Sequence, residues 1–362
     1  MLRVPDLPTP ALLVDLDVLE RNLARMQAKC DRLGVALRPH VKTHKCVEIG
    51  RLQREAGARG ITVATLEEAR AFAEAGFDDL TWAFPVVPGR IDEAREIAGR
   101  STLRLLVDSD EAVDALERAA FPFRVWLKVD CGYHRAGVDP ASDAAVSLAR
   151  RLAESPTLGF DGILTHSGHA YLVSSRAELA AVAAQERDAV VAFAERLRAD
   201  GVEVPSISVG SSPAMSAVER LDGVDEARPG NYAYNDWTQV LLGACEVADC
   251  ALTVAATVVS TAADHAVVDA GALALSKDAG RPDLAAATMG EIFEDHAGGR
   301  LREDVRLVAL SQEHGKTSGR LPVGERVRIL PNHSCLTAAC FDRVHAVRGE
   351  EVVGAWRVRR ER

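Results

Sequence analysis

Phe123-Arg-Val-Trp-Leu-Lys-Val129 is an apolar run that gives way to Asp130-Cys-Gly-Tyr-His134-Arg135-Ala-Gly137. Gly159-Phe-Asp-Gly-Ile-Leu164 in turn gives way to Thr165-His166-Ser-Gly-His169-Ala-Tyr171. A short strand followed by a polar, glycine-rich segment is the unit that decides the fold. Outward from this pair, the same unit recurs at Val35-Leu37, Ile61-Val63, Leu80-Phe84, Leu103-Val107, Ile207-Val209 and, with poorer apolar character, Glu226-Arg228. Helical patterns separate the runs. Leu16, Leu19, Leu23, Met26, Cys30 and Leu33 repeat at three-and-four spacing after a cap at Asp15 or Asp17, and Gly34 closes that helix. Thr65-Leu-Glu-Glu68 reads as a capping box, and Ser175 to Asp200 as one long alanine-rich helix.

Eight strand candidates alternating with helices predict an α/β chain whose parallel sheet closes as a (β/α)8 TIM-type barrel over residues 10–245. An open doubly wound sheet is the alternative, but no G-x-G-x-x-G follows an early strand. After residue 245 the texture changes. Leu252-Ser260, Ala266-Asp269, Val305-Val308, Val327-Leu330 and Val352-Val358 are β-rich with turn residues between them. They predict a mostly antiparallel C-terminal β domain over 246–362, joined by residues 1–9.

At 362 residues the chain is long enough for two such domains. Its net charge of −10 argues against nucleic acid, which needs a basic surface. The basic stretch Arg357-Val-Arg359-Arg360-Glu-Arg362 reads as a solvated tail. No run approaches the ~18–20 apolar residues of a membrane span. Met1-Leu-Arg-Val-Pro-Asp6 has no apolar signal core, so the expectation is a cytoplasmic protein. The seven scattered cysteines fit reduced thiols better than a disulfide framework.

In a barrel, the segments after each strand share one face, where active sites are built. The first strand is followed by Arg38-Pro-His40-Val-Lys42-Thr-His44-Lys45. Lys42 sits there among cations that favour a free amine, which Schiff-base chemistry requires; an anion-binding patch is the other reading. Gly210-Ser211-Ser212-Pro213 has the composition of a strand-to-helix turn for a phosphate, or of a simple capped turn. Gly230-Asn231, one loop later, is where barrels commonly complete a phosphate site. Asn332-His333-Ser334-Cys335 puts an imidazole and a thiol two residues apart, which suits Zn²⁺ if extended and is otherwise a packed turn. Gly315-Lys316-Thr317-Ser318 imitates the end of a P-loop, but the leading glycine is missing: Leu310 stands there.

Together these segments resemble the fold-type III pyridoxal-phosphate enzymes related to alanine racemase, in the branch of D-serine dehydratases and D-threonine aldolases. The resemblance runs through Thr9-Pro10-Ala-Leu-Leu-Val-Asp15, Arg38–Lys45, Asp130–Val138, His166–Tyr171, Arg228-Pro-Gly-Asn-Tyr232, Val268-Asp-Ala-Gly271, Ser311-Gln-Glu-His-Gly315 and Pro331–Cys335. It implies that Lys42 holds pyridoxal 5'-phosphate as a Schiff base and that Ser211, Ser212, Gly230 and Asn231 bind its phosphate. His166, Arg135 and Tyr171 would lie around the ring and substrate, and Arg228 near the pyridine nitrogen. His333 and Cys335 would hold Zn²⁺, or another divalent metal, over the substrate's β-hydroxyl. Members work as homodimers in which the β domain of one chain closes the barrel of the other. Arg135, Tyr171 and the stretch Tyr232–Asp236 are candidates for recognising the substrate's side chain.

Within the branch, H-x-C resembles the zinc dehydratases and H-x-D the aldolases. His333-Ser-Cys335 therefore implies a dehydratase converting D-serine or a related small β-hydroxy-D-amino acid to a 2-keto acid and ammonia. Gly210-Ser-Ser-Pro differs from the G-S-T-P of D-serine dehydratases, which leaves room for a substrate such as 3-hydroxyaspartate. The alternative is a metal-dependent D-threonine-type aldolase giving glycine and an aldehyde. A non-catalytic pyridoxal-phosphate protein would have no use for the second domain.

Overall fold

The computed structural model describes residues 2–361. It divides into two compact units, one made of Met26–Lys42 and Gln53–Gly230, the other of the residues through Arg25 with Thr43–Leu52 and Asn231–Arg360.

In the first unit the eight expected strands form. They are Ala36–Leu37, Ile61–Val63, Asp79–Pro85, Thr102–Val107, Arg124–Lys128, Gly159–Leu164, Ile207–Val209 and Glu226–Ala227. Every neighbouring pair is parallel, with the first strand beside the eighth. Closure is made by the chain just beyond the first strand. His40 bridges Thr62 in parallel, and the Thr62 N–H donates to the Pro39 carbonyl at 2.8 Å. The barrel expectation is met, and the doubly wound alternative is excluded by this closure.

Leu106, Trp126 and Leu164 pack together as one apolar cluster of the strands, whereas other strand residues carry charge. Arg38, buried to 3% exposure, donates to Glu226 at 2.8 Å and forks onto both oxygens of Asp79 at 2.7 and 3.0 Å. Arg104 joins Asp79 to Asp161, which also takes Arg124. Such charges persist in a core only when mutually paired. Burial alone would raise the Asp79 carboxyl, but the guanidinium groups of Arg38 and Arg104 reverse this and hold it below its ordinary range.

Local signals place the helices. The three-and-four face of Leu16–Leu33 is buried at Leu19, Leu23, Met26 and Cys30. Thr65 caps Leu66–Glu74 by accepting the Glu68 N–H at 3.1 Å. The Glu68 carboxylate accepts from Ala64 rather than from Thr65 itself, one residue upstream of a standard capping box. Ser175 caps the long helix Arg176–Ala199.

The second unit is a nine-stranded sheet in the order Ala266–Val268, Gly315–Thr317, Arg300–Leu310, Gly290–Asp295, Arg326–Leu330, Leu252–Thr261, Ala11–Asp15, Arg343–Arg348, Glu351–Arg357. A further pairing of Ala266–Val268 with Leu252–Thr261 curls one end into a ring. All ladders are antiparallel except that between Ala11–Asp15 and Arg343–Arg348. Ala11–Val14 is buried on both faces, and both of its edges are paired. Among the described residues no helix is long and apolar enough to cross a membrane, and all seven cysteines are free.

Candidate active site

The chain leaves the first strand of the barrel unit and enters a single 3-10 turn, Val41–Thr43, at whose last residue the other unit resumes. Val41 and Thr43 are buried and Lys42 is exposed, so the flanks anchor the turn and the amine is presented outward. After the fifth strand, Asp130 gathers the N–H groups of Gly132, Tyr133 and His134 at 2.9–3.0 Å. Burial disfavours its charge, yet these donors and the His134 ring hold the carboxyl low. The same loop carries Arg135, exposed, with its guanidinium 5.1 Å from the centre of the Tyr133 ring. Tyr133 in turn lies so close over Gly168 that a Cβ there would meet the ring at 2.1 Å.

After the sixth strand, His166 Nδ1 lies 2.9 Å from the Gly210 carbonyl oxygen. Burial, then the Lys42 cation, push its pKa well below 6.5, so the ring is neutral at pH 7 and Nδ1 carries the proton. Tyr171 is half-buried in the turn Gly168–Tyr171.

After the seventh strand, Gly210 has φ +132°, and a Cβ would lie 2.7 Å from the Arg228 nitrogen, so backbone alone fits there. Ser211 and Ser212 are both buried. Ser211 caps Ser212–Ala217 by accepting the Ala214 N–H, and Ser212 Oγ accepts the Gly230 N–H at 3.1 Å. The loops after strands seven and eight are thereby joined. Arg228 is buried and donates to the Ser208 hydroxyl and the Thr165 carbonyl. Burial pulls its pKa down to about 10. Lys128, at the end of the fifth strand, is pulled down to about 8 by burial and by Arg228 and Arg135.

In the β unit, His333 Nδ1 lies 2.9 Å from Asp278 Oδ2, and its ring also hydrogen-bonds Cys335. Burial opposes the imidazolium, but Cys335 and Asp278 prevail and raise the His333 pKa to about 11. His333 is the extended N-cap of the short helix Ser334–Ala338, so the pair straddles a helix start rather than a continuous strand. Asp236 fixes this turn: one oxygen accepts from the Ser334 N–H at 2.9 Å and from Asn231 Nδ2 at 2.6 Å. The Asn231 side chain therefore belongs with His333 and Cys335, its Nδ2 lying 3.8 Å from the thiol. Thr43, next in sequence to Lys42, has its hydroxyl 3.2 Å from Cys335 Sγ.

Both residue sets fit what the resemblance implies. Around Gly210 a side-chain-free backbone and two buried hydroxyls suit a phosphate. At the other set, an imidazole oriented by a carboxylate and an adjacent thiol form a zinc-type donor pair. Asn231 Oδ1 and Tyr234 Oη are buried there without hydrogen-bond partners. Among the described residues no group of three or more histidine, cysteine, aspartate and glutamate side chains is assembled for a metal. Asp278 and Lys128 were not legible as site residues. Asp278 lies far from His333 in sequence, and Lys128 reads as one position of a strand.

Family models of known proteins match two successive stretches of the chain. Residues 14–236 match the family model of the alanine racemase N-terminal domain, and residues 251–347 that of the putative serine dehydratase domain. The chain is 40% identical to D-threo-3-hydroxyaspartate dehydratase of Delftia sp. (strain HT23), over 97% of each chain. It is 32% identical to D-serine dehydratase of Dictyostelium discoideum, over 97% of this chain and 96% of the other. Among solved structures, D-threo-3-hydroxyaspartate dehydratase as a cysteine-to-alanine mutant in the metal-free form superposes with a TM-score of 0.94 at 37% identity, covering 99% of each chain. D-threonine aldolase from Filomicrobium marinum superposes with a TM-score of 0.87 at 30% identity, covering 99% of this chain and 97% of that one.

Proposed function

Because the chain belongs to the alanine racemase-like family of pyridoxal-phosphate enzymes that carry a serine dehydratase domain, we propose that it is a zinc-dependent lyase removing water, then ammonia, from D-threo-3-hydroxyaspartate, D-serine or a closely similar β-hydroxy-D-amino acid. The observation that carries this reading is the thiol of Cys335 beside the Asp278-oriented His333. A thiol selects zinc, where a carboxylate in its place would suit a harder metal. The 40% identity to the Delftia dehydratase points the same way.

When bound, pyridoxal phosphate supplies an electron sink for the Cα–H bond, and zinc a Lewis acid for the β-hydroxyl. Lys42 would hold the cofactor through its amine and then serve as the base at Cα. Ser211 and Ser212, on the Gly210 backbone, would take the phosphate. His166, kept neutral, would face the ring without adding charge, and Arg228 would hold the pyridine end by hydrogen bonding. Arg135 and Tyr171 would orient the substrate. His333 and Cys335 would hold the metal, with Asp278 keeping the histidine proton on Nδ1.

The test is a product assay on cofactor- and zinc-loaded protein with D-threo-3-hydroxyaspartate, D-serine and D-threonine, with L-enantiomers as controls. Keto acid and ammonia from the D-forms alone are expected. Glycine with an aldehyde would make the chain an aldolase, and turnover surviving complete metal removal would defeat the zinc assignment. We further propose a cytoplasmic homodimer. Support comes from the family resemblance and the free cysteines; light scattering and cell fractionation test it.

A further inference from the structure

Neighbouring residues on the long helix Arg176–Ala199 reach three successive barrel loops. Gln185 Nε2 donates to the Cys131 carbonyl after the fifth strand, at 3.1 Å. Glu186 Oε1 accepts the Ser167 N–H after the sixth strand at 2.8 Å and the Gly210 N–H after the seventh at 3.1 Å. Glu186 is only 3% exposed. A buried carboxylate among loops read as an anion site is electrostatically costly, and a helix facing a barrel ordinarily buries apolar groups. The cost is offset by the two N–H groups it takes and by the nearby Arg228 cation.

What Glu186 gains the protein is position. The Gly210 peptide is pinned on both sides, its N–H by Glu186 and its carbonyl by His166. Ser211 follows, its hydroxyl 3.2 Å from that of Ser167, whose own N–H goes to the same carboxylate oxygen. Glycine at 210 is required by φ +132°, and that freedom would leave the loop mobile unless something external fixed it.

We propose that Glu186 is a positioning residue for the cofactor's phosphate, holding the Gly210–Ser212 loop in its binding form from behind. This rests on the reading of Ser211 and Ser212 as phosphate ligands, and the experiment separates the two. Full-length apoprotein is titrated with pyridoxal phosphate and with pyridoxal, which lacks the phosphate, following the absorbance of the lysine-bound chromophore; melting of each apoprotein is recorded alongside.

For Glu186→Ala the affinity for pyridoxal phosphate should fall about tenfold, as expected for two buried N–H groups left unpaired, while that for pyridoxal stays within about twofold. Glu186→Gln retains an accepting oxygen and should restore most of the loss. Should Glu186→Ala fail to fold, Glu186→Asp, one methylene short, should show the same selective loss. Equal weakening of both ligands, or no weakening, overturns the role of Glu186. Equal affinity of the unaltered protein for both ligands removes the phosphate site itself, and the proposal with it.

Discussion

Asp278 Oδ2 sits 2.9 Å from His333 Nδ1, so a residue 55 positions earlier in the chain engages one ring nitrogen of the histidine and, on the proposed reading, decides which would be left for a metal. Replacing Asp278 by alanine removes that choice. Zinc affinity should fall about 10–100-fold, with the cofactor absorbance unchanged. Competition with a chromogenic chelator measures the first, and a visible spectrum the second.

Cys335→Ala should remove zinc and dehydration together. The turn that carries the thiol is held by Asp236 through the Ser334 N–H and Asn231, so the fold should survive. Metal analysis, a melting curve and the ammonia assay on one preparation check this; full activity at a zinc content near zero would contradict it.

Lys42→Ala should abolish the lysine-bound chromophore and lower turnover at least about a thousandfold, the scale on which an essential nucleophile or base contributes. Lys42 is exposed on a turn whose buried flanks are Val41 and Thr43, so melting should change little. A large loss of melting temperature would show that the turn depends on the amine.

Lys128 gives a dependence on pH. Its pKa falls from 10.5 to about 8 on folding, through burial and the charges of Arg228 and Arg135. Between those values the unfolded chain holds the extra proton, so stability rises with pH across that window. Below pH 8 the lysine is charged in both states and the full cost is present, on the order of 3 kcal/mol. Lys128→Met should therefore flatten the rise in denaturant-measured stability between pH 8 and pH 10. An unchanged slope would mean that the buried lysine is solvated in the folded protein.

The pairing of Arg38 with Asp79 and Glu226 bears on stability. Glu226→Ala leaves the buried guanidinium with one partner instead of two and should cost about 3–5 kcal/mol, read as a shift of the urea midpoint. A loss under about 1 kcal/mol would show that Asp79 suffices.

The barrel strands were legible because each is a compact apolar run followed by a polar glycine-rich segment. Even Glu226–Ala227, the weakest run, forms where the spacing demanded an eighth strand. The β unit was read less completely. Gly290–Asp295, Gly315–Thr317 and Arg343–Arg348 pair as strands without being anticipated. Gly290–Asp295 interrupts its apolar residues with a buried Glu291, and Gly315–Thr317 is too short to show alternation. In the candidate site, Lys42 and the His333–Cys335 pair could be named from the sequence because each lies in a local motif. Asp236 was named only within a stretch, and Asp278 and Glu186 not at all. Each acts across a long separation in sequence, and a carboxylate in a loop or on a helix looks like any solvated one until its partner is in place.

The strand Ala11–Asp15 lies between Leu252–Thr261 and Arg343–Arg348. During synthesis it leaves the ribosome before the barrel strands, and its two neighbours are made only after the whole barrel sequence has been translated. Until then it is an uncovered strand, apolar through Ala11–Val14, with both edges open to other chains. Vectorial folding can complete the barrel early, but the β unit is sealed only once Arg343–Arg348 has emerged. Nascent chains halted before residue 343 should therefore aggregate or recruit chaperones, whereas those extended through Arg357 can pair every strand.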